Sequence, residues 1–386
     1  MMTVKITEKD SDRYEYITFP VNRYSFNDQL DRAGIFGEYM ASLYEVSGGS
    51  YFEKINLSDE PTVDELDFLA KRLDKIFENK YAELAYSAVI SQHESVSIAE
   101  AINCTYGLES VLIYPCNNAA EYGEIVLEND FLEELSEIPD EIYKLIDREK
   151  IGKIMQEREG GIFEDGYYII PSSYEPQLVY DDVLPEPMDE WLFKLEVTVM
   201  DGDDPDEDML ETLTLPAGEE RIKELEDKFG KPASEWVWLS LKSEFCVLDS
   251  DSMQSADIVG QLNELAVTFS EMSRSETVKF KAVLEMEQPE SVSETIEISM
   301  SLDDYEFDPS TIDLKDYGEK YLSEMLPPDF DRTVLSDGVT AYLGRNISEK
   351  NGSQMTEYGI LSSAGGQIYS MIEAEQTQQH GQMMSI

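Results

Sequence analysis

Carboxylates are the one reactive group that this sequence supplies in quantity, and their spacing is regular enough to read. Between residues 121 and 149 stand Glu121, Glu124, Glu128, Asp130, Glu133, Glu134, Glu137, Asp140, Glu141, Asp147 and Glu149, opposed only by Lys144 and Arg148. Glu121, Glu124 and Glu128 fall on one face of a helix. There, like charges four apart cost about 0.2–0.5 kcal/mol per pair. More acids follow at Asp181 and Asp182, in the run Asp203, Asp204, Asp206, Glu207 and Asp208, at Asp303 and Asp304, and at Asp316 and Glu319. Fixed negative charge held on regular elements, with few cations beside it, suits recognition by a basic surface.

Catalytic chemistry is poorly provided for. General acid–base work needs groups whose pKa can be brought near working pH, and the chain has two histidines. His93 precedes Glu94 in a polar turn, and His380 lies near the C-terminus. Cys104 and Cys116 are twelve residues apart, and no second Cys or His gives zinc-ligand spacing. No phosphate-binding glycine motif and no H-E-x-x-H occurs. The run Asp201-Gly202-Asp203-Asp204-Pro205-Asp206-Glu207-Asp208 resembles a calcium loop, but such a loop needs Gly at position six and Glu at twelve. Pro205 intrudes, and the run fits a hairpin turn. The expectation is a protein that is not an enzyme and has no catalytic residues, metal site or cofactor.

The elements that carry the acids come in two sets. Thr18-Phe19-Pro20 recurs as Thr214-Leu215-Pro216, Gly34 as Gly230, and Glu94-Ser95-Val96-Ser97 as Glu290-Ser291-Val292-Ser293. Leu66, Leu69, Ala70, Leu73 and Ile76 recur as Leu262, Leu265, Ala266, Phe269 and Met272, all at one offset of 196 residues. Glu121-Tyr122-Gly123-Glu124 recurs as Asp316-Tyr317-Gly318-Glu319, one residue out of phase, and Pro139-Asp140 as Pro328-Asp329. A tandem duplication explains ordered matches at a held offset. The pattern predicts copy one over 1–190, with an acidic, proline-containing linker at 171–190. A degenerate copy two follows over 191–364, then a frayed tail over 365–386.

Each copy opens with alternating strands around a polar turn: Val4–Thr7 with Tyr14–Phe19, and Leu192–Met200 with Leu210–Leu215. Helices follow at Ser25–Ala33 and Glu219–Phe229, with Gly34 and Gly230 as C-terminal stops. A strand region is expected at Trp236–Val247. Apolar spacing predicts a helix over Val63–Phe77, opened by a capping box at Thr62 and Glu65. Further helices are expected at Tyr81–Ile90, Ser97–Ile102, Asn118–Glu128 and Asp140–Met155, and a hairpin at Gly161–Ile170. The fold class expected is α+β: an elongated molecule of two tandem copies of a small mixed α/β unit built from β-hairpins and short helices.

Composition sets the scale of the charge. The 386 residues hold 82 Asp and Glu against 29 Lys and Arg, a net −53, while 22 Tyr and 15 Phe supply material for folded cores. Residues 1–190 contain 41 acids and 15 bases, leaving 41 and 14 for the remainder, so the charge is no terminal tail. Duplex DNA carries one negative charge per ~1.7 Å of axis, so a charge of −53 corresponds to roughly 90 Å, about 26 base pairs. Three cysteines, Cys104, Cys116 and Cys246, are too few and too odd for a disulfide framework. Met1–Thr18 is charged throughout, unlike a secretory leader, and no apolar run reaches membrane-spanning length. A cytoplasmic protein is expected, with no membrane and no nucleic acid as partner.

Over residues 62–170 the sequence resembles the antirestriction protein ArdA family. The resemblance runs through Val63-Asp64-Glu65-Leu66-Asp67-Phe68-Leu69-Ala70, then Tyr114-Pro115-Cys116-Asn117-Asn118 and Glu121-Tyr122-Gly123. It is best at residues 132–147, from Leu132-Glu133-Glu134-Leu135 to Leu145-Ile146-Asp147. It continues through Glu149-Lys150-Ile151-Gly152-Lys153 and the hairpin Gly161–Tyr168. The resemblance implies an elongated acidic α/β protein that dimerises, mimics bent duplex DNA and occupies the basic DNA-binding groove of a host defence enzyme, a type I restriction–modification complex. The chain departs from that family in its doubled length, in its N-terminal hairpin, and in copy two, where Ile146-Asp147…Gly152 reads Leu335-Ser336…Ala341. It is therefore expected either as a homodimer or as a single-chain pseudo-dimer. Two alternatives stay open: mimicry aimed at another DNA-binding system, such as a CRISPR effector, another nuclease or a nucleoid protein, or general binding of basic partners.

Overall fold

The computed structural model describes residues 2–46, 53–57, 61–135, 139–181, 183–245, 257–311, 313–327, 329–336 and 338–362, with the backbone alone at 44–46, 133, 140 and 141. Glu137, Asp182, Cys246, Pro328 and the 365–386 tail with His380 lie outside the described residues. The fold is α+β, with helices and several small sheets. No described helix is long and apolar enough to cross a membrane. The chain divides into two compact units. Unit 1 comprises Met1–Thr7, Tyr16–Val21 and Tyr39–Met188, and unit 2 comprises Glu8–Glu15, Asn22–Glu38 and Asp189–Ile386.

The N-terminal strands β1 (Met2–Glu8), β2 (Tyr14–Phe19) and β3 (Tyr39–Val46) form a sheet of order β2-β1-β3. Helix α1 (Arg23–Arg32) leaves β2 through a cis Phe19-Pro20 bond. Unit 1 continues with β4 (Ile55–Asn56), α2 (Val63–Phe77), α3 (Lys80–Ser91), β5 (Val96–Ser97) and α4 (Ile98–Asn103). The predicted capping box is present: Thr62 accepts from the Glu65 N–H while Glu65 accepts from the Thr62 N–H. Leu66, Leu69, Ala70 and Leu73 of α2 are almost wholly buried, as their spacing predicts. Next come β6 (Leu112–Tyr114), α5 (Ala119–Glu128), α6 (Asp140–Tyr143), α7 (Arg148–Glu159) and the hairpin β7 (Ile162–Glu164) and β8 (Tyr167–Ile170), in an antiparallel sheet of order β6-β8-β7.

Two expectations need correction. The helix expected over Asp140–Met155 is two helices. Asp147 turns extended (φ −81°, ψ 106°), and its side chain accepts from the Lys150 N–H, so it opens α7 as a new helix. The segment expected as a linker at 171–190 lies along unit 1 as far as Met188. The Asn103 side chain accepts the N–H groups of Val179 and Tyr180, Tyr180 donates to Glu65 at 2.9 Å, and Met188 is buried.

Unit 2 contains β9 (Phe193–Thr198), β10 (Met200–Asp201), β11 (Asp204–Pro205), β12 (Glu211–Leu215), α8 (Glu219–Phe229) and β13 (Val237–Ser243). Its first sheet has the order β12-β9-β13, and the acidic turn carries its own short ladder, β10 with β11. The chain proceeds through α9 (Ile258–Glu271), α10 (Arg274–Glu287), α11 (Val292–Ser299), β14 (Glu306–Asp308), α12 (Leu314–Met325), α13 (Val339–Asn351), β15 (Ser353–Thr356) and β16 (Gly359–Ser362). The core joins the sheet residues Leu195, Val197 and Leu213 to Leu262, Leu265 and Phe269 of α9 and Phe280 of α10.

One local device occurs in both units. The Val21 N–H, just after Pro20, donates to the Asp67 carboxylate at 2.8 Å. The Ala217 N–H, just after the cis Leu215-Pro216 bond, donates to the Asn263 amide oxygen at 2.7 Å.

Candidate partner-binding surface

Helix α5 shows how the acids are held. Asn118 caps it, accepting from the N–H groups of Ala120 and Glu121. Its inner face buries Tyr122, Gly123, Val126 and Leu127, so Glu121, Glu124 and Glu128 point outward and are exposed. Behind it, α7 packs without side chains between the backbones. A Cβ on Gly123 would sit 1.8 Å from the Arg148 carbonyl oxygen, and one on Gly152 would sit 1.8 Å from that of Ala119. The Tyr122 and Tyr168 hydroxyls both donate to Glu159 at the end of α7, at 2.8 and 3.2 Å, which fixes the hairpin against the pair. Acids on α5 therefore stand on a backbone with little room to move.

Unit 2 uses the same contact. A Cβ on Gly318 of α12 would meet the Thr340 carbonyl oxygen at 1.8 Å, and one on Gly344 of α13 would meet that of Leu314 at 1.8 Å. The residue that does for α13 what Gly152 does for α7 is Gly344. Ala341, which the sequence comparison set against Gly152, is one turn away. On α12, Glu319 is exposed and Asp316 is half-buried.

The expected acids separate into those left to solvent and those used locally. Glu128, Asp130, Glu134, Asp181, Asp203, Asp204, Glu207, Asp208, Asp303 and Asp304 are exposed and have no cationic partner among the described residues. Asp203, Asp204, Glu207 and Asp208 crowd the turn around β10 and β11, while Asp303 and Asp304 sit on a single turn after α11. Glu124 lies 3.6 Å from Arg148, Asp147 3.7 Å from Lys150, and Glu319 3.7 Å from Arg332. Pairs this exposed contribute at most about 1 kcal/mol.

Glu121 is spent mainly on capping. It accepts from the Asn117 N–H at 2.7 Å and from the Asn117 and Asn118 amides, bonds that hold its carboxyl below the usual range. Asp206 likewise accepts from the Asp208 N–H. Burial, and then the charge of Asp313, push Asp316 up. Glu133, Asp140 and Glu141 lie on a 3-10 turn and on α6, described by backbone alone.

Sequence reasoning passed over the acids that the fold buries. Lys281 of α10, 3% exposed, donates to Asp28 at 2.9 Å and to Asp31 at 2.8 Å, both on α1. Tyr358 donates to Asp28 at 2.9 Å, and Arg32 and Arg274 complete the cluster from its edges. Asp28 and Asp31 look like ordinary surface acids in the sequence, and the cation they need is some 250 residues away. Among the described residues, no group of three or more His, Cys, Asp or Glu is placed to hold a metal ion. No protein-family model matches the chain, and no curated protein matches it.

Proposed function

We propose that the chain is an anti-defence protein that mimics double-stranded DNA and occupies the basic DNA-binding groove of a host defence enzyme, a type I restriction–modification complex. The observation that carries this reading is the uncompensated acid displayed on braced elements. In unit 1, Glu128, Asp130 and Glu134 stand on and just after a helix packed backbone to backbone. In unit 2, Asp203, Asp204, Glu207 and Asp208 crowd one turn, while lysine and arginine side chains are drawn into ion pairs elsewhere. A groove that binds duplex DNA gains a large share of its affinity when its lysines and arginines displace the cations condensed on the phosphates. Carboxylates already fixed in position offer the same exchange without the cost of bending a duplex. The sequence resemblance over residues 62–170 selects the target. The matched devices of the two units, a backbone N–H after proline held by a side-chain acceptor and a glycine-packed helix pair, support reading them as two copies of one fold.

A gel-shift competition with a purified type I complex and labelled duplex tests the proposal. Displacement of the duplex by the chain at low salt is expected, and an E124Q/E128Q variant should need severalfold more protein. No displacement at any protein concentration would rule the target out. Displacement from unrelated basic proteins with equal efficiency would reduce the reading to general charge binding.

A further inference from the structure

Unit 2 carries a half-open cavity of about 270 Å3 that the DNA-mimic reading does not use. Pockets for drug-sized ligands run to ~300–1,000 Å3, so the occupant would be smaller. One wall is the buried Lys281–Asp28–Asp31 cluster, whose charges satisfy one another. Glu244, half-buried, also lines the cavity; it accepts from the hydroxyl of Ser25, one turn before Asp28 on α1, and has no cationic partner among the described residues. The lining also has an aromatic corner. Tyr24 meets Phe269 edge-on with centroids 5.7 Å apart, and Phe245 meets Phe269 at 5.2 Å. Two further lining groups, the Tyr24 and Thr277 hydroxyls, have no hydrogen-bond partner among the described residues. Convergent polar groups left open beside aromatic faces are the usual anatomy of a small-ligand site.

The sign of the ligand follows from the charges. The lining holds Asp28, Asp31, Glu190 and Glu244 against Arg274 and Lys281; both cations are engaged by Asp31 and Asp28, and Glu190 lies 3.8 Å from Arg23, which leaves Glu244. The chain's net −53 raises the concentration of cations near its surface and lowers that of anions. A hard metal ion would need several oxygen ligands at once. One uncommitted carboxylate beside π faces suits an alkylammonium instead, the charge on the acid and the hydrocarbon against the rings. We propose that this cavity is a binding site for a small organic primary amine, with Glu244 holding the ammonium and Tyr24 and Phe269 covering its hydrocarbon part.

Calorimetric titration of the full chain with n-butylamine, in about 150 mM NaCl to screen diffuse attraction, tests the proposal. One saturable site is expected, with n-butanol giving no heat of binding. E244Q should weaken the amine at least tenfold, Y24L severalfold, and E128Q, which removes an exposed acid elsewhere, should leave it unchanged. If E244Q proves unfolded by its melt, Y24L carries the test alone. Equal affinity for the wild type and the folded cavity variants would overturn the site, as would a weak many-site isotherm abolished by salt. Gel-shift competition by E244Q separates the two proposals, because loss of amine binding should leave duplex displacement intact.

Discussion

Removing the Lys281 ammonium would strand two carboxylates in the interior of unit 2. Asp31 is 1% exposed and Asp28 7%, and the remaining cations, Arg32 and Arg274, reach them only from the edge. Breaking a buried ion cluster by deleting one partner costs about 3–5 kcal/mol, because a desolvated charge is left unpaired. K281M should lower the urea midpoint by an amount corresponding to about 3 kcal/mol or more. A loss under about 1 kcal/mol would mean that water reaches the cluster.

Asp308 makes a different residue-scale case. Burial acts to raise its pKa, but hydrogen bonds from Ser310, Lys320 and Thr311 overcome that and hold the carboxyl at about 2. An unfolded aspartate titrates near 3.9. The folded value is the lower one, so ionised Asp308 stabilises above pH ~4, and that contribution is lost as pH falls toward 2. The stability gap between D308N and wild type, read from urea melts, should be fully open at pH ~6 and cut to roughly a third by pH ~2.5. A gap that does not change with pH would refute the assignment.

At the scale of elements, the glycine contacts make the sharpest claim. In an open helix, Gly→Ala gains about 0.5–1 kcal/mol. At Gly123 and Gly344 the new methyl would lie 1.8 Å from a carbonyl oxygen, so the helices must part. Overpacking of this kind costs about 1–3 kcal/mol or more. G123A and G344A should each melt several degrees lower than wild type, and a raised melting temperature in either would show that α5–α7 or α12–α13 does not pack as described.

Much of this level was legible beforehand. Helix α2 falls on Val63–Phe77 as its apolar spacing predicts, and α8 on Glu219–Phe229. Local signals, capping residues and period 3.6, write these elements directly. The break between α6 and α7 was missed because Asp147 reads equally well as one more acid on a helix face. Gly344 was missed because a matched motif says nothing of which turn touches the neighbouring helix. The Lys281 cluster was out of reach for the reason that governs tertiary contacts generally: no local pattern encodes a partner so far along the chain. Of the expected acids, Glu128 and Asp203 are placed as free charges, whereas Glu121 serves the fold as a cap.

The whole molecule carries a net charge of −53, and self-repulsion on that scale destabilises any compact state. Monovalent salt shortens the range of that repulsion, with a Debye length near 10 Å at 0.1 M. The melting temperature should rise between about 20 and 300 mM NaCl, as followed by differential scanning fluorimetry. A flat or falling profile would mean that the exposed acids are compensated in ways the ion pairs described above do not reveal.

The central claim is that these carboxylates and the phosphates of duplex DNA compete for one groove. Fluorescence anisotropy of a labelled duplex titrated with a purified type I complex, at a series of fixed concentrations of this chain, measures that competition directly. Mutual exclusion predicts an apparent Kd for DNA that rises linearly with the concentration of the chain while the saturating anisotropy stays constant. A Kd that does not move, or a stable ternary complex of enzyme, duplex and chain, would contradict the account.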